Sequence, residues 1–285
     1  MTVEGSSTQA FLFADLAGFT ALTEAHGDDE ATELAENFAA HVRGLLPEYG
    51  AELIKTIGDE VMVWVETADR AVDLGLRIVE DLARPGLPPV RVGIHCGPAV
   101  PRHGDWFGST VNLASRVSGA ARTGEVLLTE FTRQCLTEDG IRIEPRGERY
   151  FRHVVDPVPV YRAVAPKGDA GHHLEIDPVC HMAVDADAPA GTRHRRGETY
   201  FFCSARCFEA FDSDPRRYVA SSPAQVARRG FFLNLAAFLA VGAFHAIGWI
   251  TDTSHDPGGF PVFVIVGTLW ALLLALHYRA VRRVL

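Results

Sequence analysis

The sequence predicts an α+β fold over residues 8–165, in which helices cover a sheet whose strands are partly joined as hairpins. One observation is a pair of apolar runs, Ala51–Ile57 and Val61–Val65, that flank the turn-forming dipeptide Gly58-Asp59. The second is that stretches with a helical period separate other short apolar runs. Hairpins mixed with intervening helices are typical of an α+β domain.

The elements follow in order from the N-terminus. Residues 9–14 form a predicted strand that ends at Asp15, and Gly18 opens the first helix. Asp28 is predicted to cap a second helix, whose apolar positions recur on one face: Ala31, Leu34, Phe38, Val42 and Leu45. After the hairpin, the pattern predicts a helix over 67–83, a strand over 90–96, a helix over 110–120 and a strand over 125–129.

The composition divides the chain into four parts. They are a first domain over 1–165, a Pro/Gly-containing linker over 166–173, a Cys/His-bearing unit over 174–220 and an apolar region over 221–285. The polar start of the chain, Met1–Gln9, has no signal-peptide pattern. A net charge of −9 argues against a nucleic-acid partner and suits cations bound by carboxylates.

The C-terminal region contains two apolar runs, Phe231–Ile250 and Phe260–Tyr278, that lack charged residues. Each is long enough as a helix to cross the ~30 Å core of a bilayer. Arginines flank the pair on its outer ends, which predicts a transmembrane hairpin with both ends in the cytoplasm. The alternative is a buried helical hairpin. In the membrane hairpin, His245 is expected to bond between the helices and His277 to anchor at the membrane interface.

The first polar motif is the strand-terminal Asp15, followed by Gly18-Phe19-Thr20 at the start of a helix. A carboxylate beside a helix N-terminus suits a cation together with phosphate oxygens. Taken alone, an aspartate in this position is more often a turn or capping residue.

The second motif is the hairpin turn, which places Asp59 at its end and Lys55 in the strand before it. Two aspartates at neighbouring strand ends would bridge a pair of Mg²⁺ ions. A Gly-Asp turn chosen for its backbone and a solvated lysine are the simpler alternatives.

The third motif runs from Asp105 into a predicted helix that carries Asn112 and Arg116. These two residues are four apart and share a helical face. An amide and a guanidinium on one surface would orient and neutralise a phosphate-bearing ligand, although such pairs also occur on ordinary exposed helices.

Together the three motifs resemble the class III nucleotidyl cyclases over residues 8–165. The resemblance implies a ferredoxin-like catalytic domain that works as a dimer, with two Mg²⁺ or Mn²⁺ ions per active site. It implies metal-binding roles for Asp15 and Asp59 and a purine-selecting role for Lys55 and Asp105. It further implies a ribose-orienting role for Asn112 and a transition-state role for Arg116. In this arrangement the two metal-binding aspartates of one protomer face the purine, ribose and transition-state residues of the other protomer across the dimer interface.

The implied activity is conversion of ATP to 3′,5′-cyclic AMP and pyrophosphate. Adenine presents an acceptor at N1 and a donor at N6, which complement a lysine donor and an aspartate acceptor. Two alternatives stay open: a guanylate cyclase, and a metal-binding membrane scaffold in which the cyclase fold only dimerises. The partner protomer is either an identical chain or another cyclase domain.

Residues 176–219 contain Asp-Pro-Val-Cys180-His181-Met and Tyr-Phe-Phe-Cys203 with Cys207 four residues later. This pattern resembles the YHS domain. Three thiolates suit Zn²⁺ or Cu⁺, and a fourth ligand is expected from His194 or His181. Two alternatives are equally supported. Either the bound metal regulates the protein, or the domain is purely structural or metal-free. The C-terminal pair of runs resembles a two-helix membrane domain of bacterial signalling proteins, which predicts the inner or plasma membrane as the location.

Overall fold

A computed structural model of the protein describes residues 8–137, 140–165, 173–195, 197–219, 223–251, 268, 270 and 271. The chain divides into two compact units, Met1–Tyr218 and Val219–Leu285. The first unit contains both the predicted α+β domain and the Cys/His-bearing residues. The predicted linker lies outside the described residues, except for His173.

The α+β domain contains nine strands and five α-helices within its described residues. The strands are β1 Gln9–Leu16, β2 Ala51–Ile57, β3 Glu60–Val65, β4 Val90–Gly97, β5 Val100–Arg102, β6 Asp105–Phe107, β7 Val126–Thr129, β8 Arg142–Arg149 and β9 Val158–Val164. The helices are α1 Phe19–His26, α2 Asp28–Leu45, α3 Ala68–Asp81, α4 Ser109–Ala120 and α5 Glu130–Gln134, with a 3₁₀ turn at Leu46–Tyr49.

Seven of these strands form one sheet in the order β2-β3-β1-β4-β7-β9-β8. The β4–β7 pair is parallel and the other pairs are antiparallel. Central strand β1 is buried on both faces: Leu12 belongs to the larger core with Phe38 of α2, whereas Phe13 packs in a second core with Val111 of α4. The predicted α+β class is therefore confirmed.

The predicted elements agree closely with the observed ones, including the hairpin around Gly58-Asp59 and the helix-strand series up to residue 129. The second helix differs in one detail. Gly27, with φ 95°, is its N-cap, and Asp28 is the first helical residue with no capping hydrogen bond. Gly27 also ends α1, and a glycine tolerates this positive φ at the junction better than other residues do.

The Cys/His-bearing part is a small fold of two hairpins and two short helices. Its elements are β10 Leu174–Ile176, β11 Ala183–Asp185, β12 Gly191–Arg195, β13 Glu198–Phe202, α6 Ala205–Ser213 and α7 Pro215–Tyr218. Phe202 and Phe211 are fully buried at its centre, in contact with each other at 5.1 Å between ring centroids. Two backbone hydrogen bonds attach it to the α+β domain: Gly86 N–H donates to Ala183 (2.9 Å), and Ala183 N–H donates to Leu87 (3.0 Å).

The prediction of two transmembrane helices, and of a location in the inner or plasma membrane, is wrong. Within the described part of the chain, no helix combines the length and apolar character needed to cross a membrane. The first predicted span falls in α8 (Pro223–Thr251), and the second lies outside the described residues except at 268, 270 and 271. The prediction rested on the length of the two runs, their lack of charged residues and the arginines that flank them. His277 lies outside the described residues.

Candidate functional sites: a carboxylate cluster and a thiol–imidazole cluster

The first candidate site is a group of charged side chains on three adjacent strands. In the sheet register, Asp15 of β1 lies opposite Glu60 of β3 on one side and Arg91 of β4 on the other. Directly opposed residues project from the same face of a sheet. Asp59 joins them from the hairpin turn, where its carbonyl accepts a hydrogen bond from the backbone N–H of Leu16 (3.4 Å). We call these four residues the carboxylate cluster.

Arg91 holds the central carboxylate in place. Its Nε donates to Oδ2 of Asp15 at 2.7 Å, and its Nη2 donates to the same oxygen. Asp15 is only 8% exposed. An arginine that donates through two nitrogens fixes the position of a carboxylate. Asp15 is thus held in the centre of the cluster by Arg91.

The other two carboxyl groups are crowded by Asp15. Burial, a hydrogen bond with Asp15 and the charge of Asp15 together raise the pKa of Asp59 to about 7. Burial, with the charges of Asp15 and Asp59, also raises the pKa of Glu60 to about 7. The raised pKa values mean that the three carboxyl groups, if all were ionised, would have more negative charge than the guanidinium of Arg91 balances. The donor set therefore fits divalent cations with oxygen ligands, such as Mg²⁺ and Mn²⁺.

The turn after β1 brings a helix N-terminus next to the cluster. Gly18 is the N-cap of α1 and has φ 82°, a left-handed conformation that glycine adopts without strain. Leu22 N–H donates to Gly18 carbonyl oxygen (3.0 Å) and closes the first helical turn. The backbone N–H groups of Phe19 and Thr20 therefore precede the first N–H group that donates within the helix. N–H groups in this position are suited to bind anions.

The structure joins Lys55 and Asp105, which are far apart in the sequence. Lys55 Nζ lies 2.6 Å from Oδ2 of Asp105, and the hydrogen bond from Lys55 lowers the pKa of that carboxyl group. The other carboxylate oxygen accepts the backbone N–H of Trp106 (2.8 Å). Because both side chains are partly exposed, at 38% and 27%, they remain open to a ligand.

Helix α4 places Asn112 and Arg116 on its accessible side, with Asn112 exposed and Arg116 half-buried. The opposite side of α4 approaches the sheet very closely at Gly93. A Cβ at Gly93 would lie 1.9 Å from the backbone nitrogen of Ser118, so glycine is required there. This close packing fixes the height of α4, and hence of its two polar residues, above the sheet.

The second candidate site is a group of sulfur and imidazole atoms, which we call the thiol–imidazole cluster. It contains Cys180, Cys203, Cys207 and His26, whose possible ligand atoms all lie within 4.8 Å of one another. Sγ of Cys203 is 3.4 Å from that of Cys180 and 3.7 Å from that of Cys207. The three thiols share hydrogen bonds, and those from Cys180 and Cys203 lower the pKa of Cys207. All three cysteines are free of disulfides.

The two histidines named from the sequence lie elsewhere. His194 is exposed, and its Nδ1 is 2.9 Å from the hydroxyl of Thr199. His181 is exposed and has φ 65°. It packs against the Gly18 turn, because a Cβ added at Gly18 would lie 2.7 Å from the Cβ of His181. The imidazole of the cluster comes instead from His26, the last residue of α1.

Sequence reasoning did not identify three residues of these sites: Glu60, Arg91 and His26. Glu60 directly follows Asp59, so the acidic pair was a usable signal. Arg91 becomes evident only when β1 and β4 are paired in register. His26 carries no local signal, because it lies in a different domain from the cysteines.

Two family models match the chain. The model of the adenylate and guanylate cyclase catalytic domain matches residues 1–154, and that of the YHS domain matches residues 176–221. The fold and the polar site thus define a nucleotidyl cyclase type of domain. Since the first match covers more than half of the residues, the chain belongs to the adenylate and guanylate cyclase catalytic domain family.

Individual relatives agree with this assignment. A pH-sensitive adenylate cyclase of Mycobacterium tuberculosis is 38% identical over 163 residues, which are 55% of this chain and 41% of that protein. An adenylate cyclase of Streptomyces griseus is 42% identical over 117 residues, 41% of this chain and 29% of that protein. The chain spans less than half the length of these relatives.

Solved structures show the same fold. A Trypanosoma brucei adenylate cyclase in its monomeric state has a TM-score of 0.52 and 24% identity, over 55% of this chain and 87% of that one. The guanylate cyclase domain from Catenaria anguillulae in complex with GTP has a TM-score of 0.52 and 22% identity, over 57% and 98%. At these identities the likeness concerns the fold alone.

Proposed function

We propose that this protein is an adenylate cyclase that converts ATP to 3′,5′-cyclic AMP and pyrophosphate. The observation that carries the proposal is the assembly, in one domain, of the carboxylate cluster, the α1 N-terminus and the bonded pair Lys55–Asp105. These three features match the three parts of the substrate: its bound cations, its triphosphate and its purine. The adenylate cyclases among the relatives support the same conclusion.

In the proposed reaction, the ribose 3′-oxygen gives its proton to solvent water and bonds to the α-phosphorus as the bond to pyrophosphate breaks. Asp15 and Asp59 would hold two Mg²⁺ or Mn²⁺ ions, which supply a lowered pKa for the 3′-hydroxyl and neutralise phosphate charge. Gly18, Phe19 and Thr20 offer the turn and amides for triphosphate oxygens. This charge stabilisation and positioning account for most of the catalysis expected in phosphoryl transfer.

The remaining residues act in this scheme across a dimer interface. Asn112 orients the ribose, and Arg116 stabilises charge on the transferring phosphoryl group. Exposed apolar side chains near the Lys55–Asp105 pair support a protein partner at this surface: Ile57 is 50%, Val100 52% and Phe107 52% exposed. An identical chain is the simplest partner, and another cyclase domain is the alternative.

The purine is proposed to be adenine. Lys55 donates to the N1 acceptor and Asp105 accepts from the N6 amino group, whereas guanine presents a carbonyl and an N–H at these places. In the structure the two groups already bond each other at 2.6 Å. Pairing of donor and acceptor before the ligand arrives keeps both correctly oriented.

The YHS domain is proposed to bind Zn²⁺ or Cu⁺ through Cys180, Cys203 and Cys207, and to regulate the cyclase. The distances among the thiols fit a single soft or borderline ion. A metal-binding scaffold with an inactive cyclase fold is the competing function. The presence of all six predicted nucleotide-site residues in the structure favours the enzyme.

The deciding experiment measures cyclic nucleotide formation by the full chain with Mg²⁺ or Mn²⁺, supplied separately with ATP and GTP. We expect cyclic AMP from ATP, and a loss of at least about 100-fold in Asp59→Ala, because positioned charge supplies most of this chemistry. Product formation that Asp59→Ala leaves unchanged, or no product in any condition, would favour the scaffold.

The choice of nucleotide has its own test. The double substitution Lys55→Glu with Asp105→Cys should lower kcat/KM for ATP by about 30-fold or more, since each of the two misplaced hydrogen bonds costs ~1–3 kcal/mol. Cation-dependent binding of pyrophosphate should be unchanged and serves as the control. Equal ATP turnover in the variant would refute the purine assignment.

A further inference from the structure

We infer that His26 of the catalytic domain is the fourth ligand of a tetrahedral Cys₃His site for a Zn²⁺-class cation. A bound ion would then fasten the YHS domain to helix α1. The inference rests on the three-thiolate site proposed above and adds a ligand from outside the YHS domain. It replaces the expected fourth ligands, His194 and His181.

Four of the six distances among the ligand atoms are close to the edges of a tetrahedron that surrounds one ion, and the other two are within 4.8 Å. With Zn–S bonds of about 2.3 Å and a Zn–N bond of about 2.0 Å, ideal edges are about 3.8 Å between sulfurs and about 3.5 Å from sulfur to nitrogen. The Sγ atoms of Cys203 and Cys207 are 3.7 Å apart. Nε2 of His26 is 3.7 Å from each of them. Cys180 Sγ, at 3.4 Å from Cys203 Sγ, completes the group.

The other nitrogen of His26 is positioned as in a metal-binding histidine. Its Nδ1 lies 3.0 Å from Oε1 of Glu30, four residues further along the chain at the start of α2. A carboxylate on one ring nitrogen fixes the tautomer and leaves the lone pair of the other directed at the ion. The His26 side chain is only 10% exposed, so its orientation is set by packing as well.

The thiols are also held by the protein. The buried carboxylate of Asp177 accepts the backbone N–H groups of Cys203 and Val179, both at 2.8 Å. Ser204 caps α6, with its hydroxyl accepting the N–H of Cys207 (3.3 Å). This network fixes the backbone on either side of the cluster.

The donor set selects the class of ion. Three thiolates and one imidazole fill all four positions of a tetrahedral site, which is the pattern of closed zinc sites. Mg²⁺ and Ca²⁺ prefer oxygen ligands and are disfavoured here. The two candidate sites of the chain therefore take different cations without competing.

The consequence concerns helix α1. This helix begins at the Gly18 turn, where triphosphate is proposed to bind, and ends at His26, about 10 Å away at 1.5 Å per residue. An ion on His26 would fix one end of α1, while His181 of the YHS domain packs against the turn at the other end. Metal loading would thus order α1 together with the turn that precedes it.

The test compares metal binding by the full chain and its variants, with Zn²⁺ measured by competition and Co²⁺ by its absorption spectrum. The native protein should bind one tetrahedral Co²⁺ with thiolate charge-transfer bands. His26→Ala should weaken Zn²⁺ binding by roughly 100-fold. Loss of a residue that only hydrogen-bonds to a metal ligand already weakens binding by up to about 100-fold. His26→Cys should restore tight binding and strengthen the thiolate bands. His194→Ala, the matched control, should behave as the native protein.

A second measurement follows amide hydrogen exchange in α1. Zn²⁺ should slow exchange in α1 of the native protein and of His26→Cys, but not of His26→Ala. Native affinity in His26→Ala, or its loss in His194→Ala, would overturn the assignment of His26. Unchanged affinity in Cys203→Ser would instead show that the three-thiolate site itself is wrong, so the two failures are distinguishable. Neither readout depends on cyclase activity.

Discussion

The two clusters differ in chemistry and in how the chain builds them. The carboxylate cluster uses hard oxygen donors on neighbouring strands of one sheet, and its geometry follows from strand register. The thiol–imidazole cluster uses soft donors from a loop, a helix and a second domain, and its geometry follows from domain docking. A site built by register is set once the sheet forms. A site built by docking also depends on whatever holds the domains together.

The largest expected effect tests whether the two clusters are independent. Asp15→Asn should weaken Mn²⁺ binding by about 100-fold or more, because it removes the central charge of the carboxylate cluster. Tight Zn²⁺ binding at the thiols should be unchanged. Mn²⁺ is measured by electron paramagnetic resonance and Zn²⁺ by competition with a chromogenic chelator.

Cys207→Ser is the reciprocal variant, which should lose tight Zn²⁺ and keep Mn²⁺. Loss of both metals in either variant, in protein that still unfolds cooperatively, would mean that the sites are coupled and not separate.

A smaller effect comes from pH and applies to the carboxylate cluster. The pKa values of Asp59 and Glu60 are raised to about 7, so both groups hold protons at pH 6 that a divalent cation must displace. Mn²⁺ affinity should therefore rise from pH 6 to pH 8, by about tenfold for each of these groups that becomes ionised. The sign for stability is opposite: without metal, the raised pKa values make the fold less stable as pH rises from about 4 to about 7.

Glu60→Gln is the matched control for this pH dependence. It removes one of the two groups with a raised pKa and should make the rise in Mn²⁺ affinity between pH 6 and pH 8 smaller. A pH-independent affinity in the native protein would contradict the crowding of the carboxylates.

The sequence predicted what depends on local pattern. The β2–β3 hairpin, α3, α4 and β4 agree because turn residues and apolar periods are short-range signals. Asp15, Asp59, Lys55 and Asp105 could be predicted as site residues because their motifs are contiguous, and their roles stay predictions. The structure adds that Lys55 Nζ lies 2.6 Å from Oδ2 of Asp105.

The misses arise from long-range structure. Arg91 becomes a partner of Asp15 only through the β1–β4 pairing. His26 meets the cysteines only because the YHS domain docks on α1, which no pattern in either segment reveals. The C-terminal runs illustrate a different error: their length, lack of charge and flanking arginines predict membrane spans, but within the described residues no helix qualifies.

The smallest expected effect concerns what holds the YHS domain on α1. Besides the backbone pair between Gly86 and Ala183, Arg217 Nη2 contacts Glu24 Oε2 at 2.8 Å, but these side chains are 61% and 62% exposed. An exposed ion pair contributes at most about 1 kcal/mol. Arg217→Ala should therefore change the free energy of unfolding by less than about 1 kcal/mol in urea titrations, with the metal either present or removed. A loss of several kcal/mol would mean that this ion pair, and not the metal cluster with the backbone bonds, is the main connection between the domains.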